Sequence, residues 1–202
     1  VRVPGAAKER AVLVVLGWRA GTTVGVRELT DALWGDGPPV AASKTLQTYV
    51  SALRRRLPAG AISTVGAGYR LNVDVDTVDV FMFQHLVAAG QQALAAGDAE
   101  ASVGSLRQAL GLWRGDPLVE LADQPWGMVE TARLMEGRRY CQELLAEARL
   151  AAGEAASLVG DLEAAAAAEP PRERRWAQLK LALYRAAARR TPCAPFSGYE
   201  PS

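Results

Sequence analysis

The residues with the most chemistry to offer lie in one stretch, KTLQTYVSALRRRL, from Lys44 to Leu57. At helical spacing Leu46, Val50, Leu53 and Leu57 fall on one narrow apolar stripe. Lys44, Thr48, Ser51 and Arg55 fall opposite, with Ala52 beside them, and Thr45 sits in the first turn. A surface helix ordinarily mixes Glu with Lys on its outer face. This stretch contains no carboxylate and ends in Arg54-Arg55-Arg56. Ammonium, guanidinium and hydroxyl groups on one face are the inventory that meets phosphate oxygens and base edges. Three arginines in a last turn also complement the helix dipole, so the cluster by itself leaves both readings open.

A second group flanks Gly66-Ala67-Gly68. The β-prone runs Ile62–Val65 and Tyr69–Leu71 on either side make this a β-hairpin. Thr64 and Arg70 are candidates to reach phosphates from it. Strand alternation equally allows Arg70 to be a plain solvent-facing residue. The glycines do not make a phosphate-cradling loop, because the G-x-G fragment is incomplete and no helix opens after it.

Catalytic chemistry finds little support. His85 is the single histidine, on a helix among Phe81, Phe83 and Leu86, where packing or partial exposure explains it. Nucleotide-binding lysine loops, nucleophile elbows and metal-ligating Cys or His pairs are missing from the sequence. Glu143 and Glu147 share a helix face at ordinary spacing and read as solvated. Trp34, Tyr69, Trp113 and Trp126 have apolar neighbours, so core anchoring is favoured over base stacking. No metal and no cofactor is expected, and no enzyme activity.

These groups must be held by the elements around them. Helices are expected over about 8–20 and 26–33, with Val12, Leu13, Val15, Leu16, Trp18, Leu29, Leu33 and Trp34 as core. Thr22-Thr23-Val24 is a brief β-prone link between them. Gly35-Asp36-Gly37-Pro38-Pro39 breaks the chain, and Ser43 is the expected N-cap of the third helix. Three helices and a hairpin, the third helix basic outside, describe a winged helix-turn-helix. After the acidic connector Asp74–Asp79 the chain reads as helical over about 81–96, 98–113, 126–152, 154–168 and 173–188, with Asp98 as an N-cap and 115–125 as a loop. Helix pairs with small residues at the crossings suggest a tetratricopeptide-like stack.

Half of the 202 residues are hydrophobic, ample for proper cores. The net charge of +1 conceals an asymmetry. Residues 1–73 carry ten Lys/Arg against four Asp/Glu, a balance of +6, and residues 74–202 carry thirteen against eighteen, a balance of −5. A basic front is where a polyanionic partner belongs. Cys141 and Cys193 lack metal-like spacing and are expected as free thiols. No apolar run approaches the ~20 residues that span a bilayer, so a soluble cytoplasmic protein is the expected default.

RELTDALWGDGPP, KTLQTYVSALRRRL and ISTVGAGYRL, in this order, resemble the OmpR/PhoB-type winged helix. More narrowly they resemble the Streptomyces antibiotic regulatory protein (SARP) class of transcriptional activators. VDVFMFQHL, LADQPW and EPPRERRWAQLKLALYR look like the bacterial transcriptional activator domain that follows the winged helix in that family. The resemblance covers about residues 5–188. It implies that the third helix enters the major groove of double-stranded DNA and that the hairpin is the wing. It also implies directly repeated sites, side-by-side self-association on DNA and contact with RNA polymerase. Against the family pattern, the small N-terminal sheet is almost wholly missing, and AAARRTPCAPFSGYEPS replaces a further helix pair.

The expected fold is therefore mainly α: a winged helix-turn-helix with a small β-hairpin wing over 1–73, then an all-α tetratricopeptide-like domain over 74–190, truncated, and a disordered tail over 191–202. The expected function is sequence-specific DNA-binding transcriptional regulation, activating a biosynthetic or pathway-specific gene cluster. The DNA-binding candidates are Lys44, Thr45, Thr48, Ser51, Ala52, Arg54, Arg55, Arg56, Thr64 and Arg70. The alternative is a protein–protein interaction module of a truncated regulator with impaired DNA binding.

Overall fold

The computed structural model describes residues 6–168 and 173–190. The expected tail from Thr191, and Cys193 within it, lies outside the described residues. Compactness divides the chain into residues 1–88 with 108–140, and residues 89–107 with 141–202.

The first unit opens with three helices, α1 (Ala7–Trp18), α2 (Val26–Trp34) and α3 (Ala42–Arg54). Each buries the stripe its spacing provides. Val12, Val15 and Leu16 of α1, Leu29 and Leu33 of α2, and Leu46, Val50 and Leu53 of α3 form one core. Helix α1 packs on both α2 and α3. Trp34 stacks on Tyr49 at 6.4 Å between ring centroids, so both rings serve packing.

Three strands close the core: β1 (Thr23–Gly25), β2 (Ile62–Val65) and β3 (Gly68–Leu71), in the order β1-β3-β2. Both pairings are antiparallel, with Val24 opposite Tyr69 and Thr64 opposite Tyr69 on the other side. The brief β-prone link is thus the third strand of the wing sheet. Gly66, at φ 55°, supplies the left-handed residue that a two-residue hairpin turn needs. Gly68 is needed for closeness: a Cβ there would lie 2.4 Å from the Val24 carbonyl oxygen.

Two expectations about α3 are corrected. Ala41, not Ser43, is the N-cap, and it makes no side-chain capping bond. The helix ends at Arg54 instead of Leu57. Pro58 disfavours helical geometry at Leu57, and the chain tightens into a turn with Arg56 N–H donating to the Leu53 carbonyl at 2.9 Å.

Beyond the wing lie α4 (Asp79–Ala95), α5 (Ala99–Gly111), α6 (Pro125–Ala151), α7 (Ala155–Ala168) and α8 (Glu173–Arg190). Short links join α4 to α5 and α6 to α7, as in stacked helix pairs. Asp98 caps α5, its carboxylate accepting from the Ala101 amide at 2.9 Å. The expected loop 115–125 contains a short 3-10 turn, Val119–Leu121. Leu121 is fully buried within the winged-helix core. In the second unit Ala146, Leu150, Ala155, Leu158, Leu162, Leu179 and Ala182 form a separate core. Among the described residues no helix is long and apolar enough to cross a membrane.

Candidate nucleic-acid interface

Seating Leu46, Val50 and Leu53 in the core leaves the opposite side of α3 open. Lys44, Thr48, Ser51 and Arg55 are all exposed there. No side chain caps the first turn; its Ala42 amide donates to the Pro39 carbonyl at 3.0 Å. The two threonines have each committed their proton. Thr45 Oγ1 donates to the Ala41 carbonyl and Thr48 Oγ1 to the Lys44 carbonyl, both at 3.1 Å. Thr48 therefore offers outward an acceptor oxygen and a methyl group.

Ala52 departs from expectation. It is 5% exposed, so it cannot present a contact to DNA. It lies beside Leu53 on the flank of the buried stripe, and a methyl is too short to reach out from there.

The three arginines part company. Arg54 Nε donates to the Ile62 carbonyl at 3.0 Å and Nη2 to Thr64 Oγ1 at 2.8 Å. Its guanidinium also lies 6.0 Å from the Tyr69 ring centroid. Arg54 thus fastens the end of α3 to the wing, and Thr64 is its partner. Arg56 pairs with Glu9 of α1. Arg55 is exposed; its amide donates to the Ser51 carbonyl at 3.3 Å, while its guanidinium has no ion pair or hydrogen bond among the described residues. Arg70 is half-buried and its Nε donates to Asn72 Oδ1 at 2.9 Å; Asn72 Nδ2 in turn donates to the Gly60 carbonyl at 2.8 Å. Sequence spacing separates the faces of a helix, but it does not reveal which of three adjacent arginines is spoken for by a strand ten residues away.

The wing tip Val65-Gly66-Ala67 is exposed and has no Arg or Lys of the kind that minor-groove contacts use. Ala67→Asp is expected to weaken binding to every duplex alike, by repulsion from phosphate. A binding-site selection in which this variant reorders the preferred sequences would contradict that role.

Other candidates for chemistry sit in ordinary structural surroundings. His85 is exposed, its Nδ1 3.3 Å from the equally exposed Asp76 carboxylate. Cys141 is buried, its Sγ 3.7 Å from the Leu106 carbonyl oxygen, and desolvation pushes its thiol up to about 12. A thiol in that state is a poor nucleophile. Tyr69 is buried, Trp126 packs against the winged-helix core, and Trp113 meets Phe83 edge-on at 5.5 Å.

A helix-turn-helix with an open basic face, a three-stranded wing and following helix pairs defines a winged-helix transcriptional regulator. Residues 2–71 match the family described as transcriptional regulatory protein, C terminal, and residues 78–192 match the bacterial transcriptional activator domain. The chain belongs to the SARP family of transcriptional regulators. It is 39% identical to regulatory protein DnrI of Streptomyces peucetius over 194 residues, covering 90% of this chain and 71% of the relative. Regulatory protein AfsR of Streptomyces griseus is 35% identical, with 90% of this chain and 18% of the relative covered. The solved structure of Mycobacterium tuberculosis EmbR, in complex with a low-affinity phosphopeptide, superposes with a TM-score of 0.86 at 36% identity, over 92% of this chain and 51% of that one. The chain thus spans only a part of the length of these larger relatives.

Proposed function

We propose that this chain binds double-stranded DNA sequence-specifically through α3 and activates transcription from the sites it occupies. The observation that carries the reading is the outer face of α3: Lys44, Thr48, Ser51 and Arg55 exposed together, with the Arg55 guanidinium free of any protein partner among the described residues. Lys44 would fix the docking on phosphate, while Thr48, Ser51 and Arg55 meet base edges. Arg54 and Thr64 hold the wing at the angle this docking needs, and Arg70 stiffens its base. Arg56, tied to α1, contributes its charge to the field along the phosphates more than a specific bond. Binding to directly repeated sites, self-association on DNA and contact with RNA polymerase belong to the same proposal, as does a cytoplasmic, nucleoid-associated location. Residues 1–73 are the DNA-binding module in this reading, and residues 74–190 the activator module.

The test is retention of promoter fragments by the purified chain, compared with a scrambled duplex of equal length. Specific retention supports the reading. Equal or absent retention supports instead a protein–protein module whose winged helix has lost DNA binding. Lys44→Ala sharpens the experiment. Removing one ammonium–phosphate pair should weaken specific and scrambled duplexes similarly and reduce the salt slope by about one unit. An unchanged slope would mean that Lys44 does not sit on phosphate.

A further inference from the structure

We propose that the cavity beside α1 in the first unit is a binding site for a small aromatic cation, an aryl- or arylalkyl-ammonium compound. It has a volume of about 530 Å³, within the ~300–1,000 Å³ of small-molecule sites. Its apolar wall carries three aromatic residues, Trp18 of α1, Phe83 of α4 and Trp113 after α5. Aromatic faces attract cations through their quadrupoles. Trp113 already does so within the fold, with the Arg138 guanidinium 5.0 Å from its ring centroid.

Among the described residues, one carboxylate lining the cavity is left without a counter-ion. Asp79, Asp116 and Glu120 line it against Arg114. Arg114 is held by Asp79 at 3.1 Å, and Glu120 accepts from Arg10 Nε at 2.8 Å. Asp116 has no ion pair or hydrogen bond among the described residues. An uncommitted carboxylate beside aromatic walls favours a ligand that joins a ring to a positive charge.

Backbone geometry gives an independent pointer to the same place. Leu118, which also lines the cavity, has φ 55° and ψ 30°. Among the described residues it is the one non-glycine with positive φ. Leucine is disfavoured in that region, and such residues collect at ligand clamps and switches. Because α1 also carries the core beneath α3, a ligand here would touch the winged helix and the 112–120 segment at once. This gives the regulator an input separate from DNA.

The site is tested on the full chain without DNA, so its failure leaves the DNA-binding reading untouched, and the reverse. (1-Naphthylmethyl)trimethylammonium is titrated while tryptophan fluorescence is followed, with 1-naphthalenesulfonate as the anionic counterpart. Saturable quenching is expected, with the cation bound several-fold tighter than the sulfonate. Asp116→Asn, at an exposed position, should keep the fold by circular dichroism and reduce that preference by about 2- to 5-fold, the range of one exposed ion pair. Trp113→Phe should weaken the cation while preserving an aromatic wall. Lack of saturation, equal affinity for cation and sulfonate, or an unchanged preference in Asp116→Asn would each overturn the proposal.

Discussion

Leu121→Ala should destabilise the unit that carries the winged helix by about 2–5 kcal/mol, the usual cost of emptying a buried leucine site. Leu121 stands fifty residues beyond the last strand of the wing, which ends at Leu71, in a stretch whose composition reads as loop. It is nevertheless fully buried within the same core as Val12, Leu16, Leu33 and Leu53. Neighbouring groups fasten the segment there. Trp126 packs against that core and meets Trp18 edge-on at 5.7 Å, and Glu120 pairs with Arg10 at 2.8 Å. Gly127 comes so close that a Cβ on it would lie 2.0 Å from the Leu121 carbonyl oxygen. Val119, two residues earlier and 59% exposed, provides the control. Val119→Ala should change stability by no more than about 0.5 kcal/mol. Urea denaturation of both variants decides the matter. A destabilisation at Leu121 no larger than that at Val119 would mean that the 119–121 turn only lies on the core and does not complete it.

What the sequence made legible, and what it did not, divides along a physical line. Periodicity and punctuation are local, and they located α1, α2, α3, the hairpin and the following helices within a few residues. The stripe Leu46, Val50, Leu53 placed the buried side of α3, and with it the outward side of Lys44, Thr48, Ser51 and Arg55. Asp98 as a helix cap is equally local, since its carboxylate serves an amide three residues on. Partner choice at a distance left no such trace. Thr23-Val24-Gly25 is too short to declare itself a strand, and it becomes one only because β3 pairs with it. Ala52 sits where spacing allows either side, and the fold buries it. Arg54 and Arg56 look like Arg55 in the sequence, yet one answers to Ile62 and Thr64 and the other to Glu9. Burial of Leu121 depends on a return of the chain that its flanking residues, Gly115-Asp116-Pro117 and Gln124-Pro125, do not announce.

Arg55→Ala should relax specificity at one base pair at a cost of about 1–3 kcal/mol, roughly 5- to 150-fold in the ratio between the preferred site and a scrambled duplex. The expectation rests on availability. Three consecutive arginines stand at the end of α3 and just past it, and a guanidinium already engaged within the protein must break those bonds before it can read a base. Arg54 would give up two hydrogen bonds to the wing, at 3.0 and 2.8 Å, and Arg56 its pairing with Glu9. Arg55 gives up only water. It is also the one guanidinium on the face shared by Lys44, Thr48 and Ser51, and its planar fork matches the O6 and N7 acceptors of a guanine edge. Arg54→Ala should behave differently. It unfastens Thr64 and β2 from the helix, so affinity for all sequences should fall together with wing stability. A salt-titrated comparison of Arg54→Ala and Arg55→Ala on the preferred and scrambled duplexes separates the two roles. Were Arg55 bound only to phosphate, its removal would lower both affinities and leave their ratio alone. If that ratio held constant in Arg55→Ala, base reading by this helix would have to be sought at Thr48 and Ser51, or assigned to the shape of the DNA.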